Sequence, residues 1–212
     1  MSKTNLYIIG YNTDYGYANW LGKTKIVKDI TKADLCMGIG GSDVTAKYYN
    51  QPDSGHLSCN PQTDYYEYRD YQKAIQLGKK IVGTCKSAQW GAALAGGAIF
   101  QDVHYPSAHK VKTFDGKELL VNSLHHNMCD LSNLKEGEDY KLLAWAENLS
   151  PYHINGFGQN VSCEKEPEVV YFPKINLIGW QNHNEKMYRN SAYKETIEWS
   201  KMLLDKFMNN SL

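Results

Sequence analysis

The sequence predicts an α/β fold with a mostly parallel central sheet, helices on both faces and extra antiparallel strands at one edge. In the first half, short apolar runs that end in glycines alternate with helical patterns, which is typical of parallel sheets covered by helices. The middle of the chain is rich in strand-like segments and has a turn at Asp115-Gly116, which indicates hairpins. We expect residues 1–212 to form a single domain, because no repeat, low-complexity tract or linker interrupts them.

Local apolar patterns and the glycines that end them predict the individual elements. The helix of residues 64–77 has a partly apolar face, and Gly78 ends it. The last helix, residues 191–208, is amphipathic and has Ser191 as its expected N-cap. The predicted strands are residues 6–10, 25–30, 35–39, 80–82, 109–114, 118–122, 140–146, 158–162, 168–172 and 176–181, and a short helix spans residues 87–95.

A sharp turn from strand to helix at Cys85 is the most informative feature of the sequence. Lys80-Ile81-Val82-Gly83-Thr84-Cys85-Lys86-Ser87 leads from a short buried strand into a helix of small residues, and its glycine permits a tight backbone. The positive end of the helix dipole and the neighbouring Lys86 both favour a reactive thiolate at this position. The alternative is a buried and inert cysteine, which is the commoner state of this residue.

A second motif far along the chain favours the reactive thiol. Gly179-Trp180-Gln181-Asn182-His183-Asn184-Glu185 follows the apolar residues 175–178, so it lies where a strand leaves the core. In an extended chain His183 and Glu185 point the same way, so the carboxylate can orient the imidazole. Cys85, His183 and Glu185 together have the chemistry needed to make and break an acyl-thioester at neutral pH.

With these two motifs the sequence resembles the class I glutamine amidotransferase superfamily, and it is most similar to the gamma-glutamyl hydrolase branch. That branch is peptidase C26-like and includes the gamma-glutamyl-GABA hydrolases. The superfamily carries Gly-x-Cys-x-Gly-x-Gln at the elbow and Gly-x-Gln-x-His-Pro-Glu at the histidine and glutamate. Four further stretches match in order: Gly40-Gly41-Ser42-Asp43-Val44, Tyr68-Arg69-Asp70, Ala95-Gly96-Gly97-Ala98-Ile99-Phe100-Gln101-Asp102 and Val121-Asn122-Ser123-Leu124-His125-His126. The resemblance covers about residues 35–185 and implies a flavodoxin-like three-layer sandwich.

Three positions depart from the pattern of the family. Ser87 replaces the glycine two residues past the nucleophile, and serine is small enough that we expect the turn to survive. Asn184 replaces a proline, which removes a restraint on φ, and Asn182 takes a position that is commonly aromatic. These changes bear on substrate preference and rate, whereas all three candidate catalytic residues are present.

The resemblance also implies roles for residues around the nucleophile. The matching loop of the family supplies a backbone N–H to the oxyanion hole, so Gly41 is one candidate donor and the N–H of Lys86 is the other. Gln89 lies one helical turn after Cys85, and the matching glutamine of the family contacts the glutamyl part of the substrate. The positions that match its glutamyl-contacting or cleft-shaping segment are Ser123, His125 and His126. For each of these, an ordinary core or surface position is the alternative.

The glycines of residues 38–42 have a second interpretation, because Gly38-Ile39-Gly40-Gly41-Ser42 after a strand superficially resembles a dinucleotide-binding loop. The spacing is not Gly-x-Gly-x-x-Gly, and no ribose-binding acid is evident about 20 residues later. We therefore expect an oxyanion loop here. The expected reaction needs no metal and no organic cofactor.

Composition excludes several other classes of function. The 23 basic and 23 acidic residues balance, so no broad basic field is available for nucleic acid. No apolar stretch approaches the ~20 residues that span a bilayer, and the N-terminus lacks a signal pattern, so we expect no membrane association. The five cysteines lack Cys-x-x-Cys spacing, which predicts neither a disulfide framework nor a zinc site and indicates a cytoplasmic setting.

These residues predict hydrolysis of γ-glutamyl amide bonds through a γ-glutamyl thioester on Cys85, with a small γ-glutamyl compound or glutamine as substrate. The same triad would serve a glutaminase subunit that delivers ammonia to a synthetase partner; the chain is short for a fused synthetase, which favours the stand-alone hydrolase. A third hypothesis, from another class, is a binding or regulatory protein in which Ser87, Asn182 and Asn184 have weakened catalysis. The sequence leaves open the amine part of the substrate and the oligomeric state, a homo-oligomer included.

Overall fold

A nine-stranded sheet with helices on both faces organises the protein, of which the computed structural model describes residues 3–11 and 13–212. The elements in chain order are β1 (Thr4–Ile8), β2 (Thr24–Ile26), β3 (Leu35–Gly38), α1 (Pro61–Gln76), β4 (Ile81–Thr84), α2 (Lys86–Leu94), β5 (Ala98–Phe100), β6 (Asp102–Val103), β7 (Ala108–Thr113), β8 (Glu118–Asn122), β9 (Met128–Asp130), β10 (Lys141–Glu147), β11 (His153–Ile154), β12 (Lys165–Phe172), β13 (Leu177–Trp180), α3 (Asn184–Met187) and α4 (Lys194–Met208). Short 3-10 helices, among them Tyr17–Trp20, lie between some of these elements.

The order of strands brings three loops to one edge of the sheet. The strands lie side by side as β2-β1-β3-β4-β13-β12-β10-β7-β8. From β2 to β13 neighbouring strands are parallel, and from β13 to β8 they are antiparallel. Because parallel strands end at the same edge, β3, β4 and β13 bring together residues 39–45, Cys85 and residues 181–185. The predicted flavodoxin-like α/β fold with antiparallel strands at one side is confirmed.

Apolar side chains fill both sides of the sheet. On one side α1 and α2 contribute Tyr71 and Trp90 to a buried cluster. On the other side α4 contributes Trp199, Leu203 and Phe207, which are four residues apart and therefore share one face of the helix. Full burial of side chains of this size contributes about 1.5–3 kcal/mol each, so both helical layers are held by the sheet.

Some predicted elements differ from those of the structure. The helix predicted from residue 64 begins at Pro61, because Asn60 caps it by accepting a hydrogen bond from Thr63 N–H at 3.1 Å. The predicted strand at residues 158–162 is wrong. These residues follow a turn and pair only through a single bridge to Ile154.

The start of the last helix also differs from the prediction. Ser191 lies in a 3-10 helix, Ser191–Tyr193, which Asn190 caps by accepting a hydrogen bond from Ala192 N–H at 3.0 Å. The α-helix itself begins at Lys194 and has no side-chain cap. The expected N-cap role of Ser191 is therefore wrong. Asn190 is the cap, and it caps the 3-10 helix that precedes the α-helix.

Candidate active site

Cys85 occupies the turn between β4 and α2 with a positive φ. Its φ is 53° and its ψ is −108°, a conformation that costs a non-glycine residue about 1–3 kcal/mol. Two hydrogen bonds hold the turn: Cys85 N–H donates to Trp180 O at 2.7 Å, and Cys85 O accepts from Ala88 N–H at 2.9 Å. The residue is 7% exposed, so the thiol lies at the end of the sheet with little access to solvent.

Ser87 fits beneath this turn because the strands opposite it carry glycine. A Cβ on Gly38 or on Gly83 would collide with the Ser87 side chain. The serine hydroxyl is fully buried and pairs with the hydroxyl of Tyr71 on α1. The turn therefore forms with serine in place of the glycine of the family.

His183 and Glu185 meet across the start of α3. The strand β13 ends at Trp180, His183 is the residue that precedes α3, and Glu185 lies in the first turn of that helix. Nδ1 of His183 lies 2.6 Å from Glu185 Oε1, and both side chains are less than a tenth exposed. The expectation of an extended His-x-Glu segment is wrong, because the chain becomes helical at Asn184. The helical turn nevertheless brings the carboxylate to the imidazole.

The surroundings of His183 keep its imidazole protonated and fixed. Burial by itself lowers the pKa of His183, but its interactions with Cys85 and with Glu185 outweigh burial and raise this pKa to about 9. The backbone is held by Asn122, whose Oδ1 accepts from His183 N–H at 2.8 Å and whose Nδ2 donates to His183 O at 3.3 Å. The imidazole can therefore give a proton to a leaving group at neutral pH.

The loop of residues 39–45 passes beside this histidine. A Cβ on Gly40 would lie 3.0 Å from His183 Cε1 and 2.7 Å from Tyr17 Oη, so a larger residue does not fit without displacement. A Cβ on the next residue, Gly41, would lie 3.4 Å from Lys86 Cδ. The N–H of Lys86 belongs to the first turn of α2, where N–H groups have no partner within the helix. Both candidate oxyanion donors thus lie on adjoining segments.

The side chain of Lys86 forms a buried charged cluster on the α1 side of the nucleophile. Its Nζ lies 2.6 Å from Asp64 Oδ1 and 2.8 Å from Glu67 Oε2, and all three side chains are almost fully buried. We call these three residues the Lys86 cluster. Asp64 also accepts from Thr45 N–H at 2.8 Å, and Glu67 from the indole N–H of Trp90 at 2.8 Å. The expectation that the ammonium acts on the thiolate is corrected, because two carboxylates bind it.

The structure brings two of the four substrate-binding candidates to one carbonyl. Gln89 Nε2 donates to Asn127 O at 3.0 Å, and His125 Nδ1 lies 3.0 Å from the same oxygen. His126 points elsewhere: its half-exposed ring lies 3.1 Å from Asp43 Oδ1 in the loop of residues 39–45. Gln89 and His125 therefore share one polar region, and His126 does not belong to it.

Four residues near the candidate catalytic centre are not among those that the sequence predicts. Gln181 Nε2 lies 3.7 Å from the Cys85 sulfur, and Gln181 N–H donates to Glu168 O at 2.7 Å. Asn122, just before the buried Ser123, fixes the histidine, and Tyr17 packs its ring 5.9 Å from the imidazole centroid. Glu168 carried a usable signal: it is a carboxylate directly before the apolar run of residues 169–172. Tyr17 carried none among 16 tyrosines.

Three general properties of the described residues bear on the class of site. All five cysteines are free. Within residues 3–11 and 13–212, no group of three or more histidine, cysteine, aspartate or glutamate side chains is arranged to hold a metal ion. In the same part of the chain, no helix combines the length and hydrophobicity that crossing a lipid bilayer requires.

Solved structures, two of them named as amidotransferases, share this architecture. A glutamine amidotransferase from Thermotoga maritima has a TM-score of 0.57 at 10% identity, covering 98% of this chain and 96% of its own. A glutamine amido transferase from Methylobacillus flagellatus has a TM-score of 0.54 at 11% identity, with 97% and 77% covered. PurLQS from Thermotoga maritima has a TM-score of 0.56 at 13% identity, with 96% and 99% covered. At these identities the likeness shows the fold alone.

Sequence comparison adds the family. The glutamine amidotransferase-like protein YvdE of Lactococcus lactis is 25% identical over 130 residues, which cover 50% of this chain and 55% of that protein. The chain thus spans about half the length of this relative. Fold and motifs together place the chain in the class I glutamine amidotransferase superfamily. Residues 21–128, more than half of the chain, match the model of one family, and the chain belongs to that family, Peptidase C26. The matched region includes Cys85 and ends before His183.

Proposed function

We propose that this protein hydrolyses γ-glutamyl amide bonds through a γ-glutamyl thioester on Cys85. The observation that carries the proposal is that β4 and β13 are parallel neighbours, so that Cys85 and the His183–Glu185 pair, joined at 2.6 Å, follow adjacent strand ends. Membership of the peptidase C26 family supports this class of chemistry. The proposal includes a single domain of residues 1–212 that acts in the cytoplasm on glutamine or a small γ-glutamyl compound.

The first half of the reaction forms the thioester. The Cys85 thiolate attacks the γ-carbonyl carbon, a C–S bond forms, and the N–H groups of Gly41 and Lys86 stabilise the oxyanion. The C–N bond then breaks as the amine nitrogen takes the proton from His183. Glu185 holds the imidazole in the orientation that this transfer needs.

The second half returns the enzyme to its starting state. Water gives a proton to the neutral His183 and adds to the thioester carbonyl. The C–S bond breaks, glutamate leaves, and the thiolate and the protonated imidazole are restored. The chain's own residues carry out both halves, and the proposed reaction uses no metal or organic cofactor.

Release of ammonia from glutamine and of amine from γ-glutamyl amides tests this proposal. Cys85→Ser should lose about 1,000-fold or more in kcat, because the nucleophile acts as a unit with its base. The matched control is Cys129→Ser, which changes a second buried cysteine near α2 whose thiol lies 3.3 Å from Ala88 O. Burial raises the pKa of Cys129, so this thiol is inert and activity should persist. Full activity of Cys85→Ser contradicts the proposal.

A second candidate function is a glutaminase subunit that supplies ammonia to a synthetase partner. Two observations favour it: PurLQS is among the fold neighbours, and Cys85 is only 7% exposed, so substrate access requires some opening. High activity of the isolated chain supports the hydrolase. Weak glutaminase activity that rises when an ATP-dependent synthetase is added supports the subunit.

The third hypothesis, a catalytically weakened regulatory protein, predicts a different result. Its Cys85 would not react with a glutamine-mimicking electrophile, such as a diazo ketone analogue of glutamine. Mass spectrometry of the labelled chain measures this reaction, and labelling at Cys85 contradicts the regulatory hypothesis.

A further inference from the structure

Five buried polar residues lie together on the β12 side of the nucleophile. We call them the Glu168 cluster, and its members are His109, His125, Asn127, Glu168 and Gln181. Twelve buried side-chain nitrogen and oxygen atoms lack a hydrogen-bond partner within residues 3–11 and 13–212, and six of these twelve belong to this cluster. A buried polar atom without a partner costs free energy, so the concentration of such atoms in one place calls for a reason.

The cluster is contiguous with the nucleophile. Gln181 Nε2 lies 3.7 Å from Cys85 Sγ, and Gln181 faces Glu168 across β12 and β13. Glu168 Oε1 lies 2.9 Å from His109 Nε2 and 3.9 Å from His125 Nε2. A chain of polar side chains therefore leads from the sulfur into the interior.

The other end of the cluster reaches the helix that follows the nucleophile. His125 Nδ1 lies 3.0 Å from Asn127 O, which also accepts from Gln89 Nε2 at 3.0 Å. Gln89 lies one helical turn after Cys85 on α2. The cluster thus extends from the sulfur to the side chain that the family pattern assigns to the glutamyl group.

Most of the unpartnered atoms in the cluster are acceptors. Since a carbonyl oxygen only accepts, His125 Nδ1 carries the proton that binds Asn127 O. Burial lowers the pKa of His125 to about 4, so the ring is neutral and its Nε2 is an acceptor. The other unpartnered acceptors are Glu168 Oε2, Gln181 Oε1 and Asn127 Oδ1. Several acceptors around one carboxylate suit a group that is cationic and has several N–H donors, which is a primary ammonium.

We propose that Glu168 binds the α-ammonium of the γ-glutamyl group and thereby selects substrates that carry an α-amino acid head. The inference rests on the proposed function, because it places the glutamyl head beside Cys85. Glu168 Oε2 accepts one ammonium N–H, and the unpartnered His125 Nε2 and Gln181 Oε1 are further acceptors in the same cluster. The α-ammonium is favoured over an ammonium on the leaving amine, because the cluster ends at Gln89.

The test compares glutamine with glutaramate, the analogue that lacks the α-ammonium. For the wild type, kcat/KM should favour glutamine by about 100-fold or more, since a site built to bind a polar group rejects the analogue without it. Glu168→Gln should reduce this preference by about 30-fold, through a higher KM for glutamine, because it removes the charge that pairs with the ammonium. Hydrolysis of glutaramate should change little.

Glu166→Gln is the matched control, because Glu166 lies two residues earlier on the same strand and is equally buried. Its Oε1 lies 2.9 Å from His153 Nε2, and Ser150 and Leu149 N–H groups bind its two oxygens at 2.8 and 3.0 Å. It has no unpartnered atom among the described residues. Glu166→Gln should keep the full preference for glutamine, whatever it does to stability.

Several results would overturn the inference. If Glu168→Gln lowers activity on both substrates equally, the residue is structural, and Glu168 does not select the head group. If the variant does not fold, the wild type still decides: equal kcat/KM for glutamine and glutaramate contradicts recognition of an α-ammonium. Glu168→Gln could instead reduce only the preference for substrates whose leaving amine carries an ammonium. In that case Glu168 binds the leaving amine and not the α-ammonium, and the inference is wrong. A wild type inactive on every γ-glutamyl amide removes the proposed function and this inference together.

Discussion

Two buried charged clusters flank the nucleophile, and they differ in whether their polar atoms are satisfied. In the Lys86 cluster the ammonium binds two carboxylates, and Thr45 and Trp90 donate further hydrogen bonds to them. In the Glu168 cluster six buried atoms lack a partner within the described part of the chain. Both clusters are equally buried. The two clusters differ in how completely their buried polar atoms are hydrogen-bonded. This difference, more than burial of charge, distinguishes a cluster that stabilises the fold from one that is arranged for a ligand.

Lys86→Met has the largest expected effect on this comparison. It leaves two carboxylates buried without their counter-ion, which should lower the free energy of unfolding by about 3–5 kcal/mol. Urea unfolding followed by circular dichroism measures the loss. The control is Lys110→Met, which removes an exposed ion pair with Glu118 and should cost at most about 1 kcal/mol. Similar losses for the two variants would show that the Lys86 cluster is not a stabilising unit.

The next largest effect is the pH dependence of stability that His183 causes. His183 belongs to neither cluster. Its pKa is about 9 in the folded protein and about 6.5 in the unfolded chain, so the folded state keeps a proton that the unfolded state loses. The stabilisation is full below about pH 6.5 and is lost as the pH rises through about 9, with a total of about 3 kcal/mol. His183→Gln should remove this dependence. A stability advantage of the wild type that grows above neutral pH would contradict the assignment.

A smaller effect is expected at Ser87, which packs on the same side as the Lys86 cluster. Ser87→Ala deletes the hydroxyl that pairs with Tyr71 in a fully buried position. The lost hydrogen bond should cost about 1 kcal/mol. Ser87→Gly should cost up to about 1 kcal/mol more, because Ser87 lies in the first turn of α2 and glycine is a weaker helix former than alanine. Thermal unfolding of both variants measures the difference, and a glycine variant as stable as the alanine variant would contradict the helical contribution.

The smallest loss of stability is expected for Glu168→Gln. His109 Nε2, which lies 2.9 Å from Glu168 Oε1, can donate its proton to the new amide oxygen instead, so the cost should stay below about 1 kcal/mol. Urea unfolding beside Lys86→Met gives the direct comparison. If Glu168→Gln destabilises as much as Lys86→Met, the two clusters are equivalent for folding, and the distinction between them fails.

The sequence predicts the fold and the candidate nucleophile better than it predicts their surroundings. The strand, turn and helix at Cys85 depend on local residues, so glycines and small side chains suffice to predict them. The sequence also predicts the contact of His183 with Glu185. It does not predict the helical turn that makes this contact. Asn184 begins a helix there, and it replaces the proline of the family motif, a residue that is favoured at the first position of a helix, so that signal is missing from this chain.

The two clusters could not be predicted, because long-range packing decides them. Lys86 follows the nucleophile directly, and nothing near it in sequence shows that its partners Asp64 and Glu67 lie on the preceding helix. Those two acids are three residues apart and share a face of α1, yet many such faces are simply solvated. Glu168 and His109 are 59 residues apart and meet only when β12 and β7 enter the same sheet.

The position of His183 at the start of a four-residue helix has a mechanical consequence. The imidazole and the carboxylate that orients it are carried by one rigid turn, while the sulfur is carried by another segment. A shift of residues 181–187 against β4 would separate base from nucleophile and leave the imidazole–carboxylate pair intact. The proposed catalytic residues are therefore carried by two separate segments, and a displacement of residues 181–187 would be enough to stop the proposed reaction.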